Sequence, residues 1–388
     1  MRGNRMRIWK RVGAVGAAMA LFALLTLQGE SWMPWMEKGL SAAAVFSAGL
    51  YLPDNGREIE EEREEISSQA PPEQNASSVP DKEPESSSSG GLTDVGTSGL
   101  PEGSPVILPG GGSSSGSTQK PADAGKITER QYPITGNGYV NIGSTSVRNY
   151  TKQTAATIQK LAGAGAAFSV DLESGQPQVL IFHTHASESY ESADLGWYDP
   201  DYSCRDLDPS RNMVRVGEEI ARELEAAGIP YIHDKTIHDY PSYNASYSKS
   251  YETVEKWLKK YPSIQIILDV HRDALETDGV RMKPTAVING KKSAQVMIIS
   301  GCDDGTMNFP NWKKNLGFAG LLANRMEEMF PGLTRPILFD YRKYNMHTGL
   351  GGLLIEVGGH ANTLEEAVYA GELFGKALSQ VVLGLAEE

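Results

Sequence analysis

Three apolar runs in this chain end in residues able to do chemistry. Val-Leu-Ile-Phe (179–182) leads into His183-Thr184-His185-Ala186-Ser187-Glu188, Ile-Ile-Leu-Asp-Val (266–270) into His271-Arg272-Asp273, and Leu-Leu-Ile (353–355) into Glu356-Val357-Gly358-Gly359. Neutral imidazole nitrogen and carboxylate oxygen are the ligand set of catalytic zinc, which keeps one position open for water. His183 or His185 with Glu188 and His271 supplies that set. A bound metal lowers the pKa of its water, and a further carboxylate can carry the proton to a leaving group. Glu356, closing an apolar strand, is the candidate for that base. His183 and His185 share a sheet face if the strand continues through both, so either is a ligand and the other a supporting or substrate-binding group. Arg272 suits a substrate carboxylate, Asp269 or Asp273 can orient His271, and Gly358-Gly359 lets substrate approach the backbone. A plain ion pair accounts for Arg272 and the aspartates equally well.

A single strand-end histidine is more often a hydrogen-bonded structural residue than a ligand. What favours a metal is the convergence of two such sites with a strand glutamate, since His-x-His-x-x-Glu is not itself a strong motif. His233, His238, His347 and His360 read as structural or surface residues. Ser187 and Ser189 lie near His185, but no G-x-S-x-G elbow surrounds them, which disfavours a serine hydrolase.

These residues need a scaffold that gathers strand ends. Apolar runs with strand character cover 178–183, 229–233, 264–271, 294–300, 336–339 and 353–357. Helical patterns fall between them at 211–227, 247–260, 316–330 and 363–385. In the first of these Met213, Val216, Ile220 and Leu224 share one face, and Gly228-Ile229-Pro230 ends it; the last has Thr363 as N-cap with Glu365 and Glu366 behind it. The alternation predicts an α/β three-layer sandwich, with helices on both faces of a mostly parallel or mixed sheet. Ligands in such folds gather at the carboxyl ends of strands.

The rest of the 388 residues divides by composition. Arg2, Arg5, Arg7, Lys10 and Arg11 precede an uncharged run at 12–27, followed by Trp32 and Trp35, which predicts an uncleaved membrane anchor within residues 1–52. Residues 53–125 are acidic and rich in Ser, Gly and Pro, a linker whose r.m.s. reach is roughly 50 Å. Residues 126–388 are then the catalytic domain, outside the cytoplasm. The net charge of −13 splits unevenly: 6 basic and 2 acidic residues in 1–52, 4 and 14 in 53–125, 26 and 33 in 126–388. A folded part at −7 without a basic run argues against nucleic acid as a partner. Cys204 and Cys302 are too few for a disulfide scaffold and lack C-x-x-C spacing, so unpaired residues are favoured over a single disulfide.

At its motifs the chain resembles the stage II sporulation protein P family. The stretches that carry the resemblance are LIFHTHASESY (180–190), RNMVRVGEEIARELEAAGI (211–229), HDYPSYNASYSKSYETV (238–254), LDVHRDA (268–274), AQVMIISG (294–301), WKKNLGFA (312–319) and LLIEVGGHANTLEEA (353–367), in consistent order. The resemblance implies a zinc-dependent peptidoglycan hydrolase with a fold similar to N-acetylmuramoyl-L-alanine amidases. It implies amidase activity with an associated endopeptidase, acting on the septal wall between forespore and mother cell during engulfment. Stage II sporulation proteins D and M would be partners. Carried over by position, the metal falls on His183, Glu188 and His271 and the base on Glu356, with His185, Arg272 and Asp273 binding substrate or supporting the ligands. A module that binds peptidoglycan or a septal partner without cleaving it is the competing reading; chelation separates the two.

Overall fold

A computed structural model describes residues 120–387. The basic tip and anchor expected at 1–52, and the linker as far as residue 119, lie outside the described residues. Thirteen strands and five α-helices follow in the order β1 (Gly125–Arg130), β2 (Tyr139–Asn141), β3 (Ser146–Asn149), α1 (Ala155–Ala162), β4 (Val179–Phe182), β5 (Trp197–Tyr198), α2 (Met213–Ala226), β6 (Tyr231–His233), α3 (Ser246–Lys260), β7 (Ile266–Asp273), β8 (Glu276–Thr277), β9 (Val280–Ile288), β10 (Lys291–Ala294), β11 (Val296–Gly301), α4 (Trp312–Met329), β12 (Ile337–Asp340), β13 (Gly351–Gly359) and α5 (Leu364–Glu387).

The main sheet has eight strands in the order β2-β3-β12-β11-β13-β7-β4-β6. Most neighbours run parallel, and antiparallel steps occur at β11–β13 and β2–β3. All six strands legible in the sequence belong to this sheet. The β7 run is buried along its whole length, as a strand covered on both sides must be. A second sheet, β10-β9-β1-β5 with β8 on β9, packs beside it; nothing in the apolar pattern announced it. Its strand β9 buries Lys283 and contains Pro284, which hides the usual alternation.

The two faces of the main sheet are covered unequally. Odd-numbered residues of β4 and even-numbered residues of β7 (Val179, Ile181, Ile266, Leu268, Val270) join one continuous core with α1, α2, α4 and α5. The alternate residues Leu180, Phe182 and Ile267 belong to a smaller separate cluster that meets α3 through Val254, Trp257 and Leu258. The expected helices on both faces are there, four on one and one on the other. Because α3 stops over β4 and β7, the opposite half of that face carries no helix and forms the floor of a cleft. At the start of α5, the Thr363 hydroxyl accepts from the Glu366 N–H at 3.2 Å and the Glu366 carboxylate accepts from the Thr363 N–H at 3.1 Å, a reciprocal cap that fixes the turn after β13. Both cysteines are buried and unpaired.

Candidate active site

The cleft has a volume of about 1570 Å³, and His185, Glu188, His271 and Glu356 all line it. Glu356 and His271 are register partners on the adjacent parallel strands β13 and β7, so their side chains leave the same face side by side. Asp269, two residues before His271 on that face, places Oδ1 2.8 Å from His271 Nε2, off the ideal hydrogen-bond line. The aspartate is itself fixed by the Thr184 N–H at 2.8 Å and the Thr184 hydroxyl at 2.6 Å. This arrangement turns His271 Nδ1 toward Glu188 Oε2, 3.6 Å away. Of the two aspartates proposed to orient His271, Asp269 is the one placed to do so.

The structure separates the two histidines that the sequence left equivalent. The strand ends at Phe182, and residues 184–187 form a turn instead of extending it. His183 therefore stays on the four-helix side, fully buried. Its Nδ1 donates to the Val270 carbonyl at 2.8 Å, which leaves its Nε2 to accept from His233 Nε2 at 2.9 Å. Helix α2 crosses this pair so closely that a Cβ on Gly217 would lie 2.5 Å from His233 Nε2 and 2.6 Å from His183 Nε2. Both ring nitrogens of His183 are engaged and neither faces the cleft, so the assignment of His183 as a metal ligand is corrected. The turn instead swings His185 onto the cleft side, where its Nδ1 has no hydrogen-bond partner and lies 3.8 Å from Asp239 Oδ2.

Of the two roles open to Arg272, binding substrate or supporting the ligands, its contacts favour the second. Its Nε donates to the Ser189 carbonyl at 2.8 Å and its Nη2 to the Cys204 carbonyl at 2.9 Å. The guanidinium thus pins the 188–205 loop and its charge faces Glu188, with little left for a substrate carboxylate. Asp273 accepts from Arg335 at 2.8 Å in a buried ion pair. The glycines after Glu356 also have another reason. Gly358 has φ +67°, and a Cβ there would lie 2.7 Å from Asn362 Oδ1 and 2.8 Å from Ala294 Cβ. They form the bulge where β13 leaves register with β7, closed by Asn362 accepting from the Gly359 N–H at 2.9 Å.

Burial would raise the Glu188 carboxyl, but Arg272 and His271 hold it well below the usual range. Burial, opposed by Glu188, lowers His185 to about 4 and keeps its ring neutral. Against the cost of burial, Asp269 and Glu188 draw His271 well above its ordinary value. Burial and the nearby charge of Asp273 push Glu356 up to about 8, and its Oε2 has no hydrogen-bond partner. Two nitrogen donors and an ionised oxygen donor around unpartnered buried atoms fit a zinc ion. Another acidic cluster does not. Glu129, Asp194 and Glu366 bring their oxygens within 4.8 Å of one another, yet the Lys283 ammonium fills their centre, 2.8 Å from Asp194 and Glu366 and 3.4 Å from Glu129.

Several site residues were not read from the sequence. Tyr243 stacks on the His185 ring at 4.5 Å and 5°, with Arg205 over its other side at 4.9 Å. Asp239 binds the Ser187 hydroxyl at 2.6 Å and Arg205 at 2.8 Å behind the same histidine. Tyr247 stacks on Tyr344 at 5.0 Å on the cleft wall. The only available signal was the density of tyrosine in 238–254, which composition alone does not assign to a wall.

The model of the stage II sporulation protein P family matches residues 57–379. The chain belongs to that family. The stage II sporulation protein P of Bacillus subtilis (strain 168) is 31% identical over 216 residues, covering 52% of this chain and 50% of that protein. The alignment thus spans half the length of that relative. Among solved structures, the N-acetylmuramoyl-L-alanine amidase AmiC2 of Nostoc punctiforme matches at 11% identity and a TM-score of 0.33, over 55% of this chain and 98% of its own. The CwlD amidase from Clostridioides difficile, in complex with the GerS lipoprotein, matches at 9% and 0.33, over 54% and 98%. Likeness at that level fixes neither activity nor ligand.

Proposed function

We propose that the chain is a zinc-dependent peptidoglycan hydrolase of sporulation, an N-acetylmuramoyl-L-alanine amidase, whose metal is held by His185, Glu188 and His271. The observation that carries this reading is the convergence of those three donors with Glu356 on one cleft, in a chain of this family. When bound, zinc would polarise the scissile carbonyl and ease deprotonation of water.

The remaining chemistry belongs to the chain. Asp269 keeps the His271 proton on Nε2 and so leaves Nδ1 as the donor. Arg272 holds Glu188 ionised, and Tyr243 fixes the plane of the His185 ring. Glu356 takes a proton from the attacking water as oxygen bonds to the carbonyl carbon. It returns that proton to the nitrogen as the carbon–nitrogen bond breaks, giving a carboxylic acid and a free amine. Burial and the nearby charge of Asp273 raise its proton affinity, which suits a group that must both accept and donate near neutral pH. An accompanying endopeptidase activity, membrane anchoring through residues 12–27, an extracytoplasmic domain at the septum, and stage II proteins D and M as partners belong to the same proposal and rest on family membership.

The test uses the full chain in detergent. Metal analysis should find one zinc per chain, a chelator should stop release of muropeptides from purified wall, and mass spectrometry should find newly freed alanine amino groups. Wall digestion that survives removal of all metal would overturn the metal reading; binding to wall without any digestion would overturn the enzyme.

A further inference from the structure

No strand residue of the second sheet lines the cleft, yet its strand β9 buries Lys283 to 1% exposure. Burying an ammonium is costly unless it is closely paired, and an apolar residue of similar volume often serves stability as well. A charge kept in such a place suits a task of fixing geometry. The partners of Lys283 come from three separate segments: Glu129 from β1, Asp194 from the hairpin that follows Glu188, and Glu366 from the first turn of α5.

Two of these segments lead to the cleft. The hairpin starts at Glu188, whose backbone pairs with Arg205, and is closed by the Ser189 N–H donating to the Cys204 carbonyl at 2.9 Å. On the other side, Glu366 Oε1 meets Lys283 while its Oε2 accepts from the Asn362 amide at 3.0 Å. Asn362 Oδ1 in turn accepts from the Gly359 N–H at 2.9 Å, closing the bulge that follows Glu356. The hairpin and this turn touch directly: the Glu191 N–H donates to the Asn362 carbonyl at 2.9 Å, and Glu191 pairs with Thr363. Beneath that contact one ammonium lies 2.8 Å from Asp194 Oδ1 and 2.8 Å from Glu366 Oε1. Lys292 supplies a built-in contrast, since it reaches Asp194 at 2.9 Å but bonds Glu129 in place of Glu366.

We propose that Lys283 is a positioning residue for the cleft: it fixes the Glu188 hairpin against the turn after Glu356 and so sets the spacing between the metal-binding carboxylate and the base. This deepens the hydrolase reading and rests on it for the roles of those two carboxylates. Lys283 lines no part of the cleft and acts through Asp194 and Glu366. Losing the bridge lets Glu188 drift from the imidazoles, which loosens the metal, and lets Glu356 drift from the attacking water, which slows proton transfer.

The experiment uses full-length chain in detergent and reads three quantities: zinc affinity by competition with a chromogenic chelator, the visible spectrum of the cobalt-substituted protein, and kcat and KM on soluble muropeptides. Lys283→Met should weaken zinc binding about tenfold, alter the cobalt spectrum, and lower kcat about tenfold with KM nearly unchanged. Lys283→Arg should recover part of each, and Lys292→Met should leave all three within about twofold of the unaltered chain, because the link to Glu366 survives. Asp194→Asn cuts the hairpin arm of the same bridge, so adding it to Lys283→Met should deepen the losses by less than about twofold. Melting curves establish that each variant is folded; if Lys283→Met is not, Asp194→Asn alone carries the test, with losses of about threefold in zinc affinity and kcat. A folded Lys283→Met chain, or in its place Asp194→Asn, with zinc affinity, cobalt spectrum and kcat unchanged overturns the proposal, and so do losses that multiply in the double variant. If the unaltered chain binds no zinc and digests no wall, the hydrolase reading falls, and amide hydrogen exchange decides the bridge by itself: Lys283→Met should speed exchange in 188–205 and 359–363 together, and exchange unchanged in either segment overturns it.

Discussion

The two faces of the main sheet are made by the same strands and behave as opposite environments. On one, four helices bury alternate residues of β4, β7, β11 and β13 in a continuous apolar core, and the histidine admitted there, His183, has both ring nitrogens satisfied. On the other, one helix covers one half, and the strands beside it carry His271 and Glu356 into an open cleft. Buried polar atoms without partners occur on both sides, Ser300 Oγ and Asn315 Oδ1 among the helices and His185 Nδ1 and Glu356 Oε2 at the cleft, but those at the cleft belong to titratable groups gathered round one opening. An unsatisfied buried polar atom costs about 1–3 kcal/mol, and what sets the cleft apart is that its unsatisfied atoms are titratable and converge on one opening.

Changing Glu356 to Gln should give the largest contrast. Hydrolysis of purified wall should fall by about 10²–10⁴-fold, while metal content and neutral-pH melting temperature hold; a loss under tenfold would return Glu356 to the structural face. Next, the two neighbouring histidines should part company. His185→Ala should lose bound zinc with little loss of fold, whereas His183→Ala should keep zinc and lose about 2–4 kcal/mol in denaturant unfolding, because it orphans the Val270 carbonyl and His233. The opposite result would exchange their roles.

Titration sharpens the same contrast in the metal-free chain. Glu356 holds its proton to about pH 8 when folded against 4.5 when exposed, so the folded state binds more protons in between. Its contribution is complete below pH 4.5 and is lost as pH rises through 8, at up to ~1.4 kcal/mol per unit, and Glu356→Gln should flatten that slope. His183 falls from 6.5 to about 4, so the unfolded state binds more protons there; its contribution is present above pH 6.5 and is lost as pH drops through 4. Stability against pH by chemical unfolding reads both. Gly217→Ala should cost about 1–3 kcal/mol through its clash with the paired histidines. The smallest effect is expected from Tyr243→Ala: a few-fold weaker metal or substrate binding with unchanged stability, since its ring is 45% exposed.

What the sequence made legible follows the same division. The six strands and the helices α2, α3, α4 and α5 announced themselves because covered elements must be apolar at a fixed period, whereas the short α1 at Ala155–Ala162 was not read from the sequence. The site's strands were found for the same reason, and His271 and Glu356 with them. The choice between His183 and His185 failed because it depends on whether the strand stops at Phe182 or runs one turn further, and a one-residue difference reverses the face. The role of Arg272 stayed open between substrate and support because its partners are backbone carbonyls of a loop 68 to 83 residues earlier, which leave no side-chain signature. The second sheet was invisible because Lys283, buried by three carboxylates, breaks the pattern that would have shown β9.

Strand β13 has one more consequence. It lies between β7 and β11, and no other strand of the main sheet joins β6-β4-β7 to β11-β12-β3-β2. It is also the last strand in chain order. A chain made N-terminus first has the strands of both half-sheets, one with the imidazoles and the other with the apolar floor residues Ile299 and Leu338, before the strand that joins them. The strand that closes the seam also delivers Glu356, so the carboxylate meets the imidazoles only in the event that completes the main sheet.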